Sequence, residues 1–483
     1  MIAVGLAGLL ACRVSVAENT LQPTARPFAS PPVSQPLVLR LPPTVPTGPR
    51  QYAARQVAAN HLLQTEVQAA PDGEIPPPPA EPLAPLPSEA NNGMTLDMVT
   101  DIALANSPII REARNQLVAA QGAALQAGFY PNPMFNTFAP QLNGNQSQYG
   151  ASMSQVVVTR GKIRLDASAA QRAAMAAEMT LVRARYDLLT LVRKRFYSAL
   201  AMQRRVEVLT QMVDIARRSH DISKRLLQAG VGPRSDVLLL QIELSKAEAE
   251  LRNANTLAET SRRQLAAATG VVNLQIERVA GDLTQALPDY DLIATQQAVL
   301  ARNALLRRAE FEVARAQFQL RRAQVDPFPN LNMTGGYQRQ GIGNAADLNG
   351  ALLNQGLYEV QLIVPLYNQN QGNIRAAEGT IGAAVAAFNR IRTELANQTA
   401  MSVGEYIAAS QWVDRYEREI LPNATDVQNI TAQLYNQGQV EFLRYLASQR
   451  VLLDASLAYI DAQERRWIAA ADLAGLLQSE QFP

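Results

Sequence analysis

The chain has 483 residues, with 44 basic and 42 acidic side chains and a formal net charge of +2 at pH 7. The two signs are interspersed, which argues against nucleic acid or another highly charged polymer as a dedicated partner. Charged residues make up 18% of the chain, below the ~25% of typical soluble domains. The single cysteine excludes a disulfide within the chain.

The chain opens with an apolar run, Met1 to Ala11, that is far shorter than the ~20 residues of a membrane-spanning helix. It therefore predicts a secretory signal core. Cys12 follows Leu9-Leu10-Ala11, an arrangement similar to the lipobox of bacterial lipoproteins, in which the cysteine is acylated. We expect residues 1–12 to be this signal segment and Cys12 to be a lipidation site. The alternative is ordinary signal removal at Ser15-Val16-Ala17, and both alternatives predict export.

Residues 13–94 are interpreted as a tether. The stretch from Leu21 to about Asn92 is dense in proline, including Pro76 to Pro79, and lacks apolar periodicity. Such a segment cannot bury enough surface to offset the cost of ordering the chain. We expect a disordered or polyproline-II tether.

Folded structure is predicted to begin near Thr95, which precedes a short amphipathic helix. The break at Asn106-Ser107-Pro108 separates this helix from a second one, which runs to about Gln126. From Tyr149 to Val158 the apolar residues alternate with polar ones, which is typical of a strand with one apolar face. A weaker strand is predicted from Met134 to Ala139, with a turn-rich hairpin loop between the two strands.

The period-two pattern returns in the second half of the chain, in strands beginning at Leu331 and at Tyr358. Their connector, Arg339 to Gly356, is rich in Gly and Asn and predicts a long loop. The apolar residues of these strands are expected to form the lipid-facing or interfacial surface of a β-barrel, and the alternative is packing in a soluble β-sandwich. The predicted barrel-surface residues are Tyr149, Met153, Leu331, Met333, Tyr337, Tyr358, Val360, Leu362 and Val364.

Each pair of strands is followed by a very long helix. From about Lys162 to Ala229, and again from about Gln371 to Gln437, Pro422 is the one proline, so each helix is predicted to reach ~100 Å. Apolar residues with the three-and-four spacing of a coiled-coil seam occur in the first run: Leu188, Val192, Phe196, Ala199, Val206, Leu209, Val213 and Ala216. Turns at Gly230 and Gly438 lead into partner helices, Val237 to Ala268 and Phe442 to Leu477.

The chain is therefore predicted to be a tandem repeat. Phe129-Tyr130-Pro131-Asn132-Pro133 corresponds to Pro327-Phe328-Pro329-Asn330-Leu331, and the order of elements recurs around both segments. We predict a first repeat at residues 95–290 and a second at 291–483, joined near Pro288 to Asp291.

This layout requires more than one copy of the chain. Two strands per repeat give four per chain, and an open four-stranded sheet cannot enclose a lumen or hide its edges in lipid. A water-filled channel needs more than the ~8 strands of a small filled barrel. Three chains, with about twelve strands, are therefore the simplest assembly that closes a barrel around a channel. The predicted assembly is a homotrimer.

The order of two strands, long helix, glycine turn and partner helix, found twice, resembles the TolC family of outer-membrane efflux ducts over Thr95 to Leu477. The segment from Val364-Pro365-Leu366-Tyr367 to Ile374 is similar to the strand-to-helix segment of the CzcC/CusC-like heavy-metal-efflux branch, and Leu446-Ala447-Ser448-Gln449-Arg450 is similar to the motif after the second tip. Gly230 with Ser235-Asp236-Val237-Leu238 resembles the first tip.

The resemblance implies a mainly α fold with a transmembrane β part. Four strands from each of three chains would complete a barrel of about 12 strands in the membrane. Coiled-coil helices would form an α-barrel below it in the periplasm. The resemblance also implies outer-membrane lipid as surroundings, and a periplasmic adaptor (membrane fusion) protein and an inner-membrane pump as partners. The implied function is a passive exit duct for small molecules or metal ions.

The tips of the helical hairpins carry the residues expected to close or dock the duct: Gly230, Asp236, Tyr435, Gly438, Glu441 and Arg444. The resemblance implies that Asp236 and Tyr435 join helices by a hydrogen bond, and the alternative is that Asp236 caps its helix. Some relatives constrict this end with acidic residues, where this chain has Arg444 and Ala447. Glu441 and Arg444 are expected either to face neighbouring chains or to lie on a solvated helix face.

Enzymatic functions are disfavoured. The two histidines, His61 and His220, are too few and too distant in sequence for a metal site or a catalytic dyad, and there is no phosphate-binding G-x-x-x-x-G-K-[ST] loop. No cofactor, resident metal or catalytic residue is expected. Two other functions stay open, namely a duct for type I protein secretion and a structural coiled-coil protein of the envelope whose apparent strands are loops.

Overall fold

The computed structural model describes residues 93–141, 147–229, 233–342, 351–437 and 439–482. The predicted lipidation site Cys12, the tip glycines Gly230 and Gly438, and nearly all of the predicted tether lie outside the described residues.

The helices of the first half follow the predicted order. They are α1 (Leu96–Asn106), α2 (Pro108–Ala127), α3 (Lys162–Gln228) and α4 (Arg234–Ala268). The Thr95 hydroxyl caps α1 by accepting a hydrogen bond from the Met98 N–H at 3.4 Å. Pro108 begins α2, where its missing N–H costs nothing because that group has no partner inside a helix.

The second half repeats this order: α5 (Leu292–Arg302), α6 (Ala304–Val325), α7 (Gln371–Arg415), a π-helical turn (Tyr416–Ile420), α8 (Leu421–Asn436) and α9 (Phe442–Leu477). The predicted run from 371 to 437 is thus helical but contains the π turn just before Pro422. Proline cannot donate to the carbonyl four residues back, and a wider turn accommodates that missing bond. Within the described part of the chain, no helix has both the length and the apolarity of a membrane span.

The strands β1 (Met134–Gln141), β2 (Gln148–Val157), β3 (Leu331–Ile342) and β4 (Ala351–Leu362) form one antiparallel sheet in the order β1-β2-β3-β4. The long loop predicted from Arg339 to Gly356 is wrong at both ends. β3 continues to Ile342 and β4 begins at Ala351, because cross-strand pairs such as Arg339 with Asn354 extend the ladder through this polar sequence.

The predicted strand around Tyr358 also ends earlier than expected. Pairing ends with Leu331 opposite Leu362, where β3 begins, so Val364 lies beyond β4 and is not part of the sheet. Pro365 follows it and has no N–H to donate to a ladder.

Helix α3 organises the packing, since it contacts α1, α2, α4, α6 and α9. Seven of the eight predicted seam residues are buried, and Val206 is half-buried. The largest core cluster includes Val99 of α1, Phe196 of α3, Val279 of the segment before α5, and Trp467 of α9. The Trp467 indole is fully buried, stacks on Tyr197 at a centroid distance of 4.0 Å, and donates through Nε1 to the Leu283 carbonyl at 2.9 Å.

Candidate functional site

The two faces of the sheet differ in chemistry. Residues opposite each other in an antiparallel ladder lie on the same face. Met333 of β3 pairs with Gln155 of β2 and Val360 of β4, and Leu331 pairs with Val157 and Leu362. Eight of the nine predicted barrel-surface residues therefore share one face, here called the apolar face: Tyr149, Met153, Leu331, Met333, Tyr337, Tyr358, Val360 and Leu362.

Large side chains on the apolar face are exposed. Phe135 of β1 belongs to this face because it pairs with Met153, and it is 72% exposed. Tyr358 is 71% exposed. A contiguous exposed apolar surface of this kind marks contact with lipid or with another protein.

The opposite side, here called the polar face, carries most of the amides and carboxylates of the described strands, and Met134, Phe138, Val156, Leu353 and Leu357 lie on it as well. It carries Asn136, Ser152, Ser154, Asn332, Thr334, Gln338, Glu359 and Gln361, among the described strand residues. Ser152 and Ser154 are only 8% and 6% exposed, although the main contacts of the described strands are with one another. On the inner strands β2 and β3 the polar face is therefore the more enclosed of the two, whereas nearly all described side chains of β1 and β4 are exposed on both faces.

Two glycines permit this enclosure. A Cβ on Gly150 would lie 2.6 Å from the Phe138 ring, and a Cβ on Gly336 would lie 2.7 Å from the Ala151 carbonyl oxygen. Both distances are far below van der Waals contact, so a larger residue would push the ring or the neighbouring strand away. Glycine here lets the polar side of the strands approach closely.

The junction between the sheet and the long helices is held by Lys162, the first residue of α3. Its side chain is buried, and its ammonium donates to the Asp326 and Phe328 carbonyls at 3.2 and 2.6 Å and to Asn330 Oδ1 at 3.2 Å. Burial lowers the pKa of this ammonium, while the Asp326 carboxylate, 3.9 Å away, opposes that shift. Lys162 thus ties the first half of the chain to the turn that enters β3.

Further contacts support the same junction. The Thr159 N–H donates to Asn330 Oδ1 at 3.3 Å, and the Thr159 hydroxyl donates to the Pro329 carbonyl at 2.7 Å. The Arg160 guanidinium lies 4.1 Å from the centre of the Phe328 ring. Strand β2, helix α3 and the turn before β3 are consequently fixed as one unit.

Lys162 was not predicted as a functional residue, although a sequence signal existed. A lysine in the first turn of a helix is unfavourable next to the positive end of the helix dipole. A lysine at this position is stabilised when acceptors from another part of the chain bind its ammonium. Here three oxygen atoms of the 326–330 turn accept its hydrogen bonds.

At the hairpin tips, the alternative that Asp236 caps α4 is wrong. The N-cap residue is Pro233, whose fixed φ suits the start of a helix, and no side chain caps this end. Asp236 lies in the first turn and accepts from the Ser235 hydroxyl at 3.2 Å. Tyr435 stacks on Tyr445 at a centroid distance of 5.3 Å. Burial raises the pKa of Tyr435, and the nearby charge of Asp236 and the Tyr445 ring raise it further.

The negative charge of Asp236 is thus one of the groups that raise the pKa of Tyr435. Glu441 is the N-cap residue of α9 without a side-chain capping bond, and its carbonyl accepts from the Arg444 N–H at 3.0 Å. The side chains of Glu441 and Arg444 are both exposed.

Comparisons with known proteins agree with this architecture. Residues 99–271 and 295–478 match the family described as outer membrane efflux protein. The cobalt-zinc-cadmium resistance protein CzcC of Cupriavidus metallidurans is 25% identical over 391 residues, which cover 81% of this chain and 91% of CzcC.

Solved structures of outer-membrane channels have the same fold. CusC superposes with a TM-score of 0.68 at 15% identity, covering 84% of this chain and 99% of that one. VceC of Vibrio cholerae superposes with a TM-score of 0.65 at 19% identity, covering 79% and 95%. The predicted resemblance is confirmed, and so is the predicted fold class. The chain belongs to the outer membrane efflux protein family and is an outer-membrane channel component of the TolC-like fold.

Proposed function

We propose that three copies of this chain form a passive exit duct for cargo that an inner-membrane pump and a periplasmic adaptor protein deliver. The observation that carries the proposal is the sheet: one face is apolar and exposed, and the other carries most of the polar side chains and is the more enclosed on the two inner strands. A barrel that separates lipid from a water-filled lumen needs this division of faces.

The trimer follows from the edges of the sheet. β1 and β4 are its outer strands, and their backbone groups on the free side need partners when the sheet lies in lipid. Three sheets joined at these edges would give about twelve strands, enough to surround a channel. We assign the apolar face to lipid, which makes its eight predicted residues the membrane-contacting surface, and the polar face to the lumen.

The helices would continue the lumen away from the membrane. Helix α3 has 67 residues, which corresponds to ~100 Å. At its far end we assign Asp236 and Tyr435 to the contact that keeps the duct narrow, together with Gly230 and Gly438 in the turns. Glu441 and Arg444, exposed in the single chain, are assigned to contacts with neighbouring copies or with the adaptor.

The remaining parts of the chain complete the proposal. Residues 1–12 would direct export, Cys12 would carry the lipid anchor, and residues 13–94 would tether the folded part, which consists of repeats at 95–290 and 291–483. Transport would be passive and without catalysis, because the energy comes from the pump. We propose metal ions or small molecules as cargo, since CzcC bears the name of a cobalt-zinc-cadmium resistance protein.

Deletion of the gene tests this function in cells. We expect a deletion strain to become more sensitive to at least one member of a panel of metals, dyes and antibiotics, with resistance restored by the wild-type gene. A variant with both Tyr358→Arg and Val360→Arg tests the assignment of the apolar face to lipid. It should fail to restore resistance, since charged residues on a lipid face cost about 2–4 kcal/mol each at mid-membrane. Unchanged sensitivity to the whole panel, or full complementation by this variant, would contradict the proposal.

A further inference from the structure

A cavity of about 940 Å³ lies between the two halves of the chain, roughly 60 Å along α3 from the sheet. Its walls are α3, the segment from Arg278 to Thr284, here called the wall segment, the first residue of α8 and one face of α9. Ligand sites are concave, have volumes of about 300–1,000 Å³ and often lie at such interfaces. The cavity is separate from the barrel surface and from the hairpin tips, so the proposed duct gives it no role.

Hydrogen bonds fix the wall segment in place. The Gln203 side chain accepts from the Val279 N–H at 3.2 Å and donates to the Val279 carbonyl at 3.4 Å. On the other side, the Met94 N–H donates to the Arg278 carbonyl at 3.0 Å, and the Met94 carbonyl accepts from the Ala280 N–H at 2.8 Å. The cavity is therefore formed by the chain before any ligand binds, which keeps the entropic cost of binding low.

Gln463 of α9 brings an unpaired hydrogen-bond donor to this cavity. The residue lines the cavity and is only 2% exposed, and its Nε2 has no hydrogen-bond partner among the residues that the structure describes. A buried donor without an acceptor is costly, so such a group in a native protein calls for an explanation. A ligand with a carbonyl group would supply the acceptor.

Tyr459 lies one helical turn before Gln463, on the same face of α9, and also lines the cavity. Its hydroxyl donates to Glu417 Oε1 at 2.5 Å, which leaves the hydroxyl oxygen able to accept a hydrogen bond. Burial and the bond to Glu417 raise the pKa of Tyr459, so the hydroxyl stays protonated at neutral pH. An acceptor and a donor thus lie one turn apart, where the N–H and C=O groups of a single amide could bind them.

The partner of Tyr459 belongs to the π-helical turn. Glu417 lies within Tyr416–Ile420, and the next residue, Leu421, lines the cavity as well. Single π-helical turns inside longer helices are frequent at functional sites. Here the turn holds the carboxylate that orients the Tyr459 hydroxyl.

The charged groups of the lining balance one another. Arg204 and Arg278 both approach the Glu207 carboxylate, at 2.7 and 3.6 Å. The Asp282 carboxylate accepts from the Thr284 N–H and hydroxyl at 2.8 and 2.7 Å. Two positive and two negative side chains leave no net charge on the described lining, so an uncharged ligand fits it better than an ion.

We propose that this cavity binds a small uncharged molecule that carries a secondary amide next to an apolar group. The Gln463 side chain donates to the ligand carbonyl, and the Tyr459 hydroxyl accepts from the ligand N–H. The apolar group packs against Leu200, Leu421 and Ile460, which also line the cavity. This binding site goes beyond the proposed transport function and does not depend on it.

N-isopentylacetamide is a suitable probe, because it has one secondary amide, a branched apolar chain and no charge. Saturation-transfer NMR on the full chain in mild detergent measures its dissociation constant, which we expect to be on the order of 1 mM for so small a ligand. N-isopentyl-N-methylacetamide is the matched control, since it keeps the carbonyl and lacks the N–H. We expect it to bind the parent protein about fivefold more weakly, the effect of losing one hydrogen bond.

Two substitutions test the two contacts separately. Gln463→Met removes the donor at similar side-chain length and should weaken the binding of both probes about fivefold. Tyr459→Phe should weaken the binding of the secondary amide to the same extent and leave that of the tertiary amide unchanged, because the tertiary amide makes no bond to the hydroxyl. Gln241→Met, on an exposed position of α4, is the matched control and should bind both probes as the parent does.

Thermal unfolding followed by circular dichroism shows whether each variant folds. If Gln463→Met or Tyr459→Phe does not fold, the comparison of the two probes on the parent protein decides by itself. Equal affinity of the parent for both probes would overturn the proposal, as would unchanged binding by a folded Gln463→Met protein. Absence of saturable binding to the parent, as when a neighbouring copy fills the cavity, would overturn it too and leave the proposed duct standing.

Discussion

Replacing Trp467 by alanine is expected to lower the free energy of unfolding by about 3–5 kcal/mol, the range for deleting a fully buried aromatic side chain. The indole stacks on Tyr197 of α3, and its Nε1 donates to the Leu283 carbonyl. The substitution leaves a cavity between the two halves of the chain and removes one of the two donors to that carbonyl, the other being the Arg466 guanidinium at 3.4 Å. The shift of the denaturant midpoint of the detergent-solubilised protein, followed by circular dichroism, measures the effect.

Two further variants calibrate this result. Trp467→Phe keeps a ring against Tyr197 and loses one hydrogen bond, while the Arg466 guanidinium still donates to the Leu283 carbonyl, so it should lose less, about 0.5–1.5 kcal/mol. Trp412→Ala removes the other tryptophan, which is 57% exposed in the chain, and should lose less than Trp467→Ala. A Trp467→Ala protein as stable as the parent would show that the two halves are not joined through this cluster.

Replacing Lys162 by methionine is expected to destabilise the junction between sheet and helices by about 2–4 kcal/mol, because several buried acceptors lose a charged donor at once. Methionine is of similar length and cannot donate to the Asp326 and Phe328 carbonyls or to Asn330. The same denaturation experiment gives the magnitude. Protease cleavage near the 326–330 turn should also become faster, since the turn is freed from α3.

Lys224→Met is the matched control for this substitution. It lies on the same helix, and its side chain is exposed, so its removal should change stability by less than about 0.5 kcal/mol. Equal stability of the Lys162→Met and Lys224→Met proteins would contradict the role given to the buried ammonium.

The long elements were predictable because their signals are strong and local. The absence of proline from Lys162 to Ala229 and the seam from Leu188 to Ala216 correspond closely to α3 and its buried stripe. The alternation around Tyr149 and Leu331 likewise identified strands and assigned eight side chains to one face. These patterns repeat over many residues, so single exceptions do not obscure them.

The strand ends and the polar junction were not predictable in the same way. β3 and β4 extend into the Gly- and Asn-rich segment because pairing with a neighbouring strand outweighs local propensity, and a single sequence does not display such pairing. The acceptors of Lys162 lie 164 to 168 residues further along the chain, so no local pattern connects them to it. The prediction that Asp236 caps α4 was wrong for a local reason: Pro233 is the N-cap residue, and the helix begins at Arg234, three residues before the predicted start at Val237.

The native mass of the particle extracted from outer membranes in mild detergent tests the central claim most directly. We predict a particle that contains three chains, measured against the mass of the denatured chain from the same sample. A particle of a single chain would contradict the account, because one sheet with two open edges cannot enclose a channel.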